Sequence, residues 1–286
     1  MRVCAIGEVL WDVFADHEHF GGAALNFCTN LQRLGDEATL LSAVGNDQRG
    51  RLALERMAEL GLTTSHVLVV SEQPTGVAVI NMAANGEAAY DIPRPAAFDL
   101  LDTSDAALDG VRSSGVDWLY FGSLLQTSNS IEQFTTRLAH RLHSTRCFYD
   151  MNLRTGQWNL ALVQRLSALA TVMKLNEHEA ETLFALTHLE GTCYSMLEFC
   201  REWSEVYKID TLCITLGAQG CAVYCKGELR SFSSNPIIVQ DTVGAGDAFA
   251  AAFLHGYHLE WPLERSARFA NAVGGIVASR TGATPP

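Results

Sequence analysis

The sequence predicts an α/β fold: a central, mostly parallel sheet flanked by helices, with a small β lid set on it. Three observations carry that prediction. Short, continuously apolar segments alternate with segments of helical spacing, as expected for parallel strands covered on both faces. Residues 75–83 and 87–92 break this rhythm as two apolar runs around Asn85-Gly86, a dipeptide suited to the positive φ angles of a type I′ hairpin turn. In a chain of 286 residues, 48% are hydrophobic and 18% charged, enough to bury a sizeable core and too apolar for disorder or coiled coil.

Residues 2–6 read as the first strand. After Gly21-Gly22, residues 23–34 carry apolar side chains at helical spacing (Leu25, Cys28, Leu31, Leu34) and stop at Gly35, a natural helix terminator. Residues 38–44 are the next strand, and 50–60 form a helix with Gly61 just past its end. Strands recur at 118–121, 147–149, 171–175 and 212–216, with helices at 131–143, 160–169, 177–185 and 196–207. Thr215, Gly217 and Gly220 sit at the tip of a strand–turn–strand unit. The segment from Asp241 to Asp247 leads into a helix over 248–258, Pro262 ends it, and a second helix runs from 263 to 279. The chain reads as one domain, residues 1–286, with the lid at 12–20 and 66–98.

Composition narrows the function. The net charge of −12 argues against a nucleic acid or an anionic membrane surface as partner, since both need a basic footprint. Apolar runs such as 248–254 fall far short of the roughly 20 residues that cross a bilayer. The first residues, with Glu8 and Asp12 interrupting the apolar run, do not resemble a signal peptide. The eight cysteines lack Cys-x-x-Cys spacing and read as reduced core thiols, so a cytoplasmic location and a small-molecule partner are expected.

The segment DTVGAGDAFAAAFLHGY holds the strongest chemical signal. Gly244, Ala245 and Gly246 precede a helix whose apolar face includes Phe249, Phe253 and Tyr257. The first turn of a helix presents unpaired N–H groups and the positive end of the dipole, and small residues let an anion approach them. Asp247 is placed to accept a proton from a substrate hydroxyl while that cradle stabilises a transferring phosphoryl group. The segment is neither a Walker A loop, lacking Gly-Lys-Ser/Thr, nor a dinucleotide-binding loop.

DTVGAGD resembles the carboxy-terminal signature of the PfkB (ribokinase-like) carbohydrate kinases, and further segments resemble that family in order along the chain. These are Gly21-Gly22-Ala-Ala-Leu-Asn26 with Leu34-Gly35, Val44-Gly45-Asn-Asp47, Asp150-Met-Asn152-Leu-Arg154, Asn176-Glu-His-Glu179 and Thr215-Leu-Gly217-Ala-Gln-Gly220. The resemblance implies a ribokinase-like kinase that uses ATP and Mg²⁺, with Asp247 as base and Gly244–Asp247 as anion hole. It implies sugar contacts from Asp12, Gly22 and Asn26, with Arg154 holding a phosphate or a carboxylate. Asn176 and Glu179 would organise Mg²⁺ through water. Thr215, Gly217, Gly220 and Asn271 would line the nucleotide site, and the Asp241 region would help enclose a monovalent cation such as K⁺.

The chain is most similar to bacterial fructokinases, although Ala24-Leu25 stands where those commonly have Pro-Ala. Fructose is therefore the expected substrate, with 2-keto-3-deoxygluconate kinase and ribokinase as alternatives and adenosine kinase a poorer match. A sugar acid would have Tyr90 and Arg94 of the lid available as donors. A non-catalytic sugar sensor is the competing class, and the intact Asp247 and Gly-Ala-Gly turn oppose it. An exposed hairpin edge invites pairing with a second copy, so a homodimer through the lid is expected.

Overall fold

The computed structural model describes residues 1–82, 88–142 and 145–285. The chain begins with β1 (Arg2–Ile6), β2 (Leu10–Val13), β3 (Glu18–Gly21), α1 (Ala23–Arg33), β4 (Glu37–Gly45), α2 (Gln48–Glu59), β5 (Val67–Val70), β6 (Gly76–Met82) and β7 (Ala88–Asp91). It continues through α3 (Asp105–Ser113), β8 (Trp118–Gly122), α4 (Ser123–Gln126), α5 (Asn129–Arg141), β9 (Arg146–Asp150), α6 (Leu160–Ser167) and β10 (Val172–Asn176). It closes with α7 (Glu177–Thr187), α8 (Met196–Tyr207), β11 (Thr211–Thr215), β12 (Cys221–Cys225), β13 (Glu228–Phe232), α9 (Ala245–His258) and α10 (Leu263–Ala278).

The large sheet has the order β13-β12-β11-β10-β9-β8-β1-β4-β5. It is parallel from β11 through to β5, and β12 and β13 extend it as antiparallel strands. Successive side chains on a strand point to opposite faces, and this divides the core in two. Cys4 and Ile6 of β1, Leu119 and Phe121 of β8, and Met173 and Leu175 of β10 pack with α3 to α8. Val3, Ala5, Trp118, Tyr120 and Val172 pack on the other face with α1, α2, α9 and α10. The cysteines follow the same division: Cys4, Cys147 and Cys200 lie buried in the first layer, and Cys28, Cys213 and Cys221 in the second.

Strand order reverses at β1, whose neighbours are β4 on one side and β8 on the other. At such a switch point the loops leaving the strand ends diverge, opening a crevice beyond the carboxyl ends. That crevice is covered by a second, four-stranded sheet of order β3-β2-β6-β7. Here β2 pairs antiparallel with β3 (Asp12↔His19) and parallel with β6 (Asp12↔Ala78), and β6 pairs antiparallel with β7 (Ile80↔Tyr90). The strands of the expected hairpin are thus present, and the Asn85-Gly86 turn lies outside the described residues.

One expectation is corrected. The lid range 66–98 includes β5, but β5 joins the large sheet beside β4 (Ser42↔Val67). The small sheet takes up the chain only at Gly76, and on its other side it begins at Leu10. The Val-Leu-Val-Val run of β5 has no local feature that distinguishes an edge strand of one sheet from a strand of the other; pairing alone decides it. Helix α3 and strand β13 also had no sequence expectation. Among the described residues, no helix is long and apolar enough to cross a membrane.

Candidate active site

At the carboxyl end of β1, Glu8 turns back to the head of α1, where its Oε1 accepts the Ala23 N–H at 2.8 Å. The approach is close: a Cβ on Gly22, at φ +123°, would lie 2.3 Å from the Glu8 carbonyl oxygen, so only glycine fits. One helical turn on, Asn26 Nδ2 donates to Asp247 Oδ2 at 2.9 Å. The other end of that amide, Asn26 Oδ1, is buried with no partner among the described residues. A buried acceptor left unmet costs about 1–3 kcal/mol, and a substrate hydroxyl is the kind of donor that would satisfy it.

Asp247 lies in the first turn of α9, opposite the carboxy-terminal tail. Gly244 has φ +77°, and a Cβ on it would come within 2.5 Å of the Ala283 carbonyl oxygen. Asp241 holds this turn against the tail, its Oδ1 accepting from Val243 N at 3.0 Å and its Oδ2 from Gly282 N at 2.9 Å. Ala245 N donates to Thr242 O, but no side chain caps α9, and the Gly246 and Asp247 amides have no acceptor among the described residues. Beside them, Lys174 Nζ would lie 3.3 Å from a Cβ on Gly246. It donates to Asp150 Oδ1 at 2.9 Å, and Asp150 Oδ2 accepts the Tyr120 hydroxyl at 3.2 Å. Two open amides and a buried ammonium suit an anionic phosphoryl group.

These elements enclose a cavity of about 240 Å³. The structure brings Asp12, Gly22, Asn26, Arg154, Asn176, Thr215, Gly244, Gly246 and Asp247 together in its wall. Carboxylates crowd it. Burial pushes Asp247 up from 3.8 to about 6, with Asp150 adding to the rise, while Lys174, the Asn26 hydrogen bond and Arg154 oppose it. Burial also lifts Asp12 to about 7; Arg154 counters this, and Asp247 and Glu8 reinforce it. Glu8 is raised by the same loss of hydration. Burial disfavours the Lys174 ammonium, but Asp150 and Asp247 more than offset it and hold Lys174 charged.

Asn176 and Glu179 form a reciprocal capping box at the head of α7. Asn176 Oδ1 accepts from Glu179 N at 2.8 Å, and Glu179 Oε2 accepts from Asn176 N at 2.8 Å. Glu179 Oε1 reaches Leu153 N at 2.7 Å, so this buried acid also anchors the loop that carries Arg154. Every one of these oxygens already accepts an N–H, and among the described residues no three His, Cys, Asp or Glu side chains are placed to hold a metal, so a Mg²⁺ at this helix head would be reached through its water shell rather than ligated directly. Gly217, Gly220 and Asn271 lie outside the cavity wall. Asn271 Nδ2 donates to the Phe232 carbonyl at 2.8 Å, beside the Gly220 turn.

Glu8 and Lys174 had no expected part in the site, and Asp150 stood in a family-like segment without a role of its own. Lys174 left the clearest trace, a lone cation inside the apolar run of β10 (Val-Met-Lys-Leu). A charge on a strand buried on both faces needs a partner, and its partner, Asp150, comes from the neighbouring strand β9.

The family model for pfkB family carbohydrate kinases matches residues 4–286. Fructokinase-1 of Oryza sativa subsp. japonica is 28% identical over 280 residues, covering 93% of this chain and 84% of the relative. The aminoimidazole riboside kinase of Salmonella typhimurium is 26% identical over 267 residues, with 88% and 80% covered. The structure of a fructokinase from Xylella fastidiosa with bound ATP superposes with a TM-score of 0.85 at 23% identity, covering 99% of this chain and 94% of that one.

Proposed function

Because the chain belongs to the pfkB family of carbohydrate kinases and has their ribokinase-like α/β fold, we propose that it transfers the γ-phosphoryl group of ATP to a hydroxyl of a neutral sugar, fructose first. The observation that carries this reading is the meeting of Asp247, Asn26 and Lys174 at the open head of α9. Asp247, ionised above about pH 6, takes the proton of the attacking hydroxyl. Asn26 fixes one carboxylate oxygen and offers its free Oδ1 to the sugar, and Asp12 accepts from further hydroxyls. The Gly246 and Asp247 amides, with Lys174, stabilise charge developing on the transferred group, and positioning contributes the remainder. Asn176 and Glu179 would hold Mg²⁺ through water, and the ion would supply further charge neutralisation on the nucleotide phosphates. The small sheet excludes water from the crevice and so suppresses ATP hydrolysis.

Charge selects a neutral acceptor. Glu8, Asp12 and Asp247 line the cavity against Arg154 and Lys174, and Lys174 is already paired with Asp150. Arg94, the other cation a sugar acid would call on, is held by Asp99, by the Leu124 carbonyl at 2.7 Å and by the Thr127 hydroxyl. In this reading Arg154, in the wall beside these carboxylates, is assigned to phosphate. A coupled assay with ATP–Mg²⁺ against fructose, ribose, 2-keto-3-deoxygluconate, adenosine and aminoimidazole riboside tests this. Fructose is expected to give the highest kcat/KM. A tenfold advantage for the sugar acid, equivalent to about 1.4 kcal/mol of transition-state preference, overturns the neutral-acceptor reading, and no turnover with any acceptor favours the sugar sensor. Two further parts of the proposal have their own tests: K⁺ dependence of the rate for a cation at the Asp241 turn, and light scattering for a dimer formed through the small sheet.

A further inference from the structure

A second cavity, of about 670 Å³, lies where α5, α6 and residues 94–99 meet the loop after β9. It shares no lining residue with the Asp247 cavity. Gln126, 1% exposed, is in its wall, and neither its Oε1 nor its Nε2 has a hydrogen-bond partner among the described residues. Gln157, also in the wall, has an unpartnered buried Oε1. A primary amide with both ends unmet is costly, and Gln126, with the unmet Gln157 Oε1 in the same wall, points to a ligand that supplies both donors and acceptors.

The charges in this wall say which kind of ligand. Its cations are paired with anions, Arg94 with Asp99 and Arg165 with Glu132 (Nη2 to Oε2, 3.0 Å). The wall has no surplus charge to hold a phosphate or a carboxylate. What it offers is amide groups, Asn129 and the indole of Trp158, a combination that suits hydroxyl groups and the apolar face of a sugar ring. We propose that this cavity is a second site, separate from the catalytic one, for a neutral sugar or polyol bound by Gln126 and Gln157 against Trp158.

Gln157 connects the two cavities. Its backbone N donates to the Arg154 carbonyl and its Nε2 to the Ile92 carbonyl, each at 2.9 Å. Arg154 and Ile92 both line the catalytic cavity. A ligand hydroxyl donating to Gln157 Oε1 fixes the side chain that joins the end of β7 to the Arg154 loop, so occupancy of the second site lowers the KM for the phosphorylated sugar and leaves kcat alone.

The inference does not depend on which sugar is phosphorylated, and its test does not require turnover. Tryptophan emission is titrated with fructose, glucose and sucrose in the wild type and in Trp158→Phe, Gln126→Leu and Asn26→Ala variants, without ATP. At least one sugar is expected to give a saturable change that disappears in Trp158→Phe, needs at least tenfold more sugar in Gln126→Leu, and persists in Asn26→Ala, where the catalytic cavity is impaired. The inference is overturned by no response to any of the three sugars, by a response undiminished in Trp158→Phe or Gln126→Leu, or by a response lost in Asn26→Ala, which would place all sugar binding in the catalytic cavity.

Discussion

The Asp247 wall of the cavity beneath the small sheet and its Asp12 wall are built from different material. Asp247 rides on a helix whose Phe249 and Phe253 are buried in the main core, and its turn is pinned by Asp241 against the tail. Asp12 sits on one strand of a four-stranded sheet, and a few residues beyond it Asp16 and His17 are exposed. The first wall is fixed by a helix packed along its length in the core and by the tail, whereas the second rests on strand pairing, on Leu10 and Ala78 in the core, on Trp11 Nε1 donating to the Arg49 carbonyl at 3.2 Å and on the half-exposed Arg49–Glu18 pair, so fewer contacts must break for it to open. Phosphoryl transfer needs fixed donors and a fixed base, and a sugar has to enter and leave. The difference between the walls divides those two tasks.

The largest test of that division is Asp247→Asn. It should lower kcat by about 10²-fold or more, the range of a positioned base, with sugar KM little changed in a coupled assay. A near-wild-type kcat would remove Asp247 from the chemistry. Next comes Lys174→Met, for which kcat should fall by roughly 10²-fold, as when one oxyanion donor is lost. Because Lys174 holds Asp247 down, the acid limb of the pH–rate profile should also move above its expected position near pH 6. An unshifted limb would confine Lys174 to a structural role. On the other wall, Asp12→Asn should raise sugar KM about tenfold, a loss of ground-state binding with kcat nearly retained. Equal losses in kcat would merge the two walls into one unit.

The smallest expected effect is on stability. Asp247 titrates near 6 when folded, against 3.8 as an ordinary Asp, so the native state binds the extra proton between those values and stability falls as pH rises through that window. Asp247→Asn removes this loss. Its Tm should exceed that of the wild type at pH 8, by about 2–4 °C for each kcal/mol that the buried charge costs, and match it near pH 3, where both native and unfolded carboxyls are largely protonated. Thermal scans at the two pH values decide it, and an equal gain at both would show that the buried charge is not its source.

The fold and much of the site are legible in the residues because their signals are local. Periodicity marks the strands and helices within one or two residues for most elements, and Gly35, Gly61 and Pro262 mark helix ends through their own backbone preferences. The small residues before Asp247 and the Gly22…Asn26 spacing report helix-start chemistry within a few positions of the chain. By themselves they determine an α/β protein with small residues at an open helix head and an aspartate in its first turn.

What tertiary structure alone decided is every pairing between distant residues. Asn26 and Asp247 meet across the whole chain; Lys174 finds Asp150 on the adjacent strand; Glu179, readable as a magnesium-side acid, spends both oxygens on backbone N–H groups and anchors the Arg154 loop. The placement of β5 in the large sheet belongs here too, as does the convergence of Gln126, Gln157 and Trp158 on one cavity. The physical reason is common to all of them. A turn or a helix end is specified by the φ and ψ preferences of a few consecutive residues, but a buried carboxylate takes its pKa and its role from whichever charges the fold brings near it, and those come from segments whose separation along the chain carries no signal.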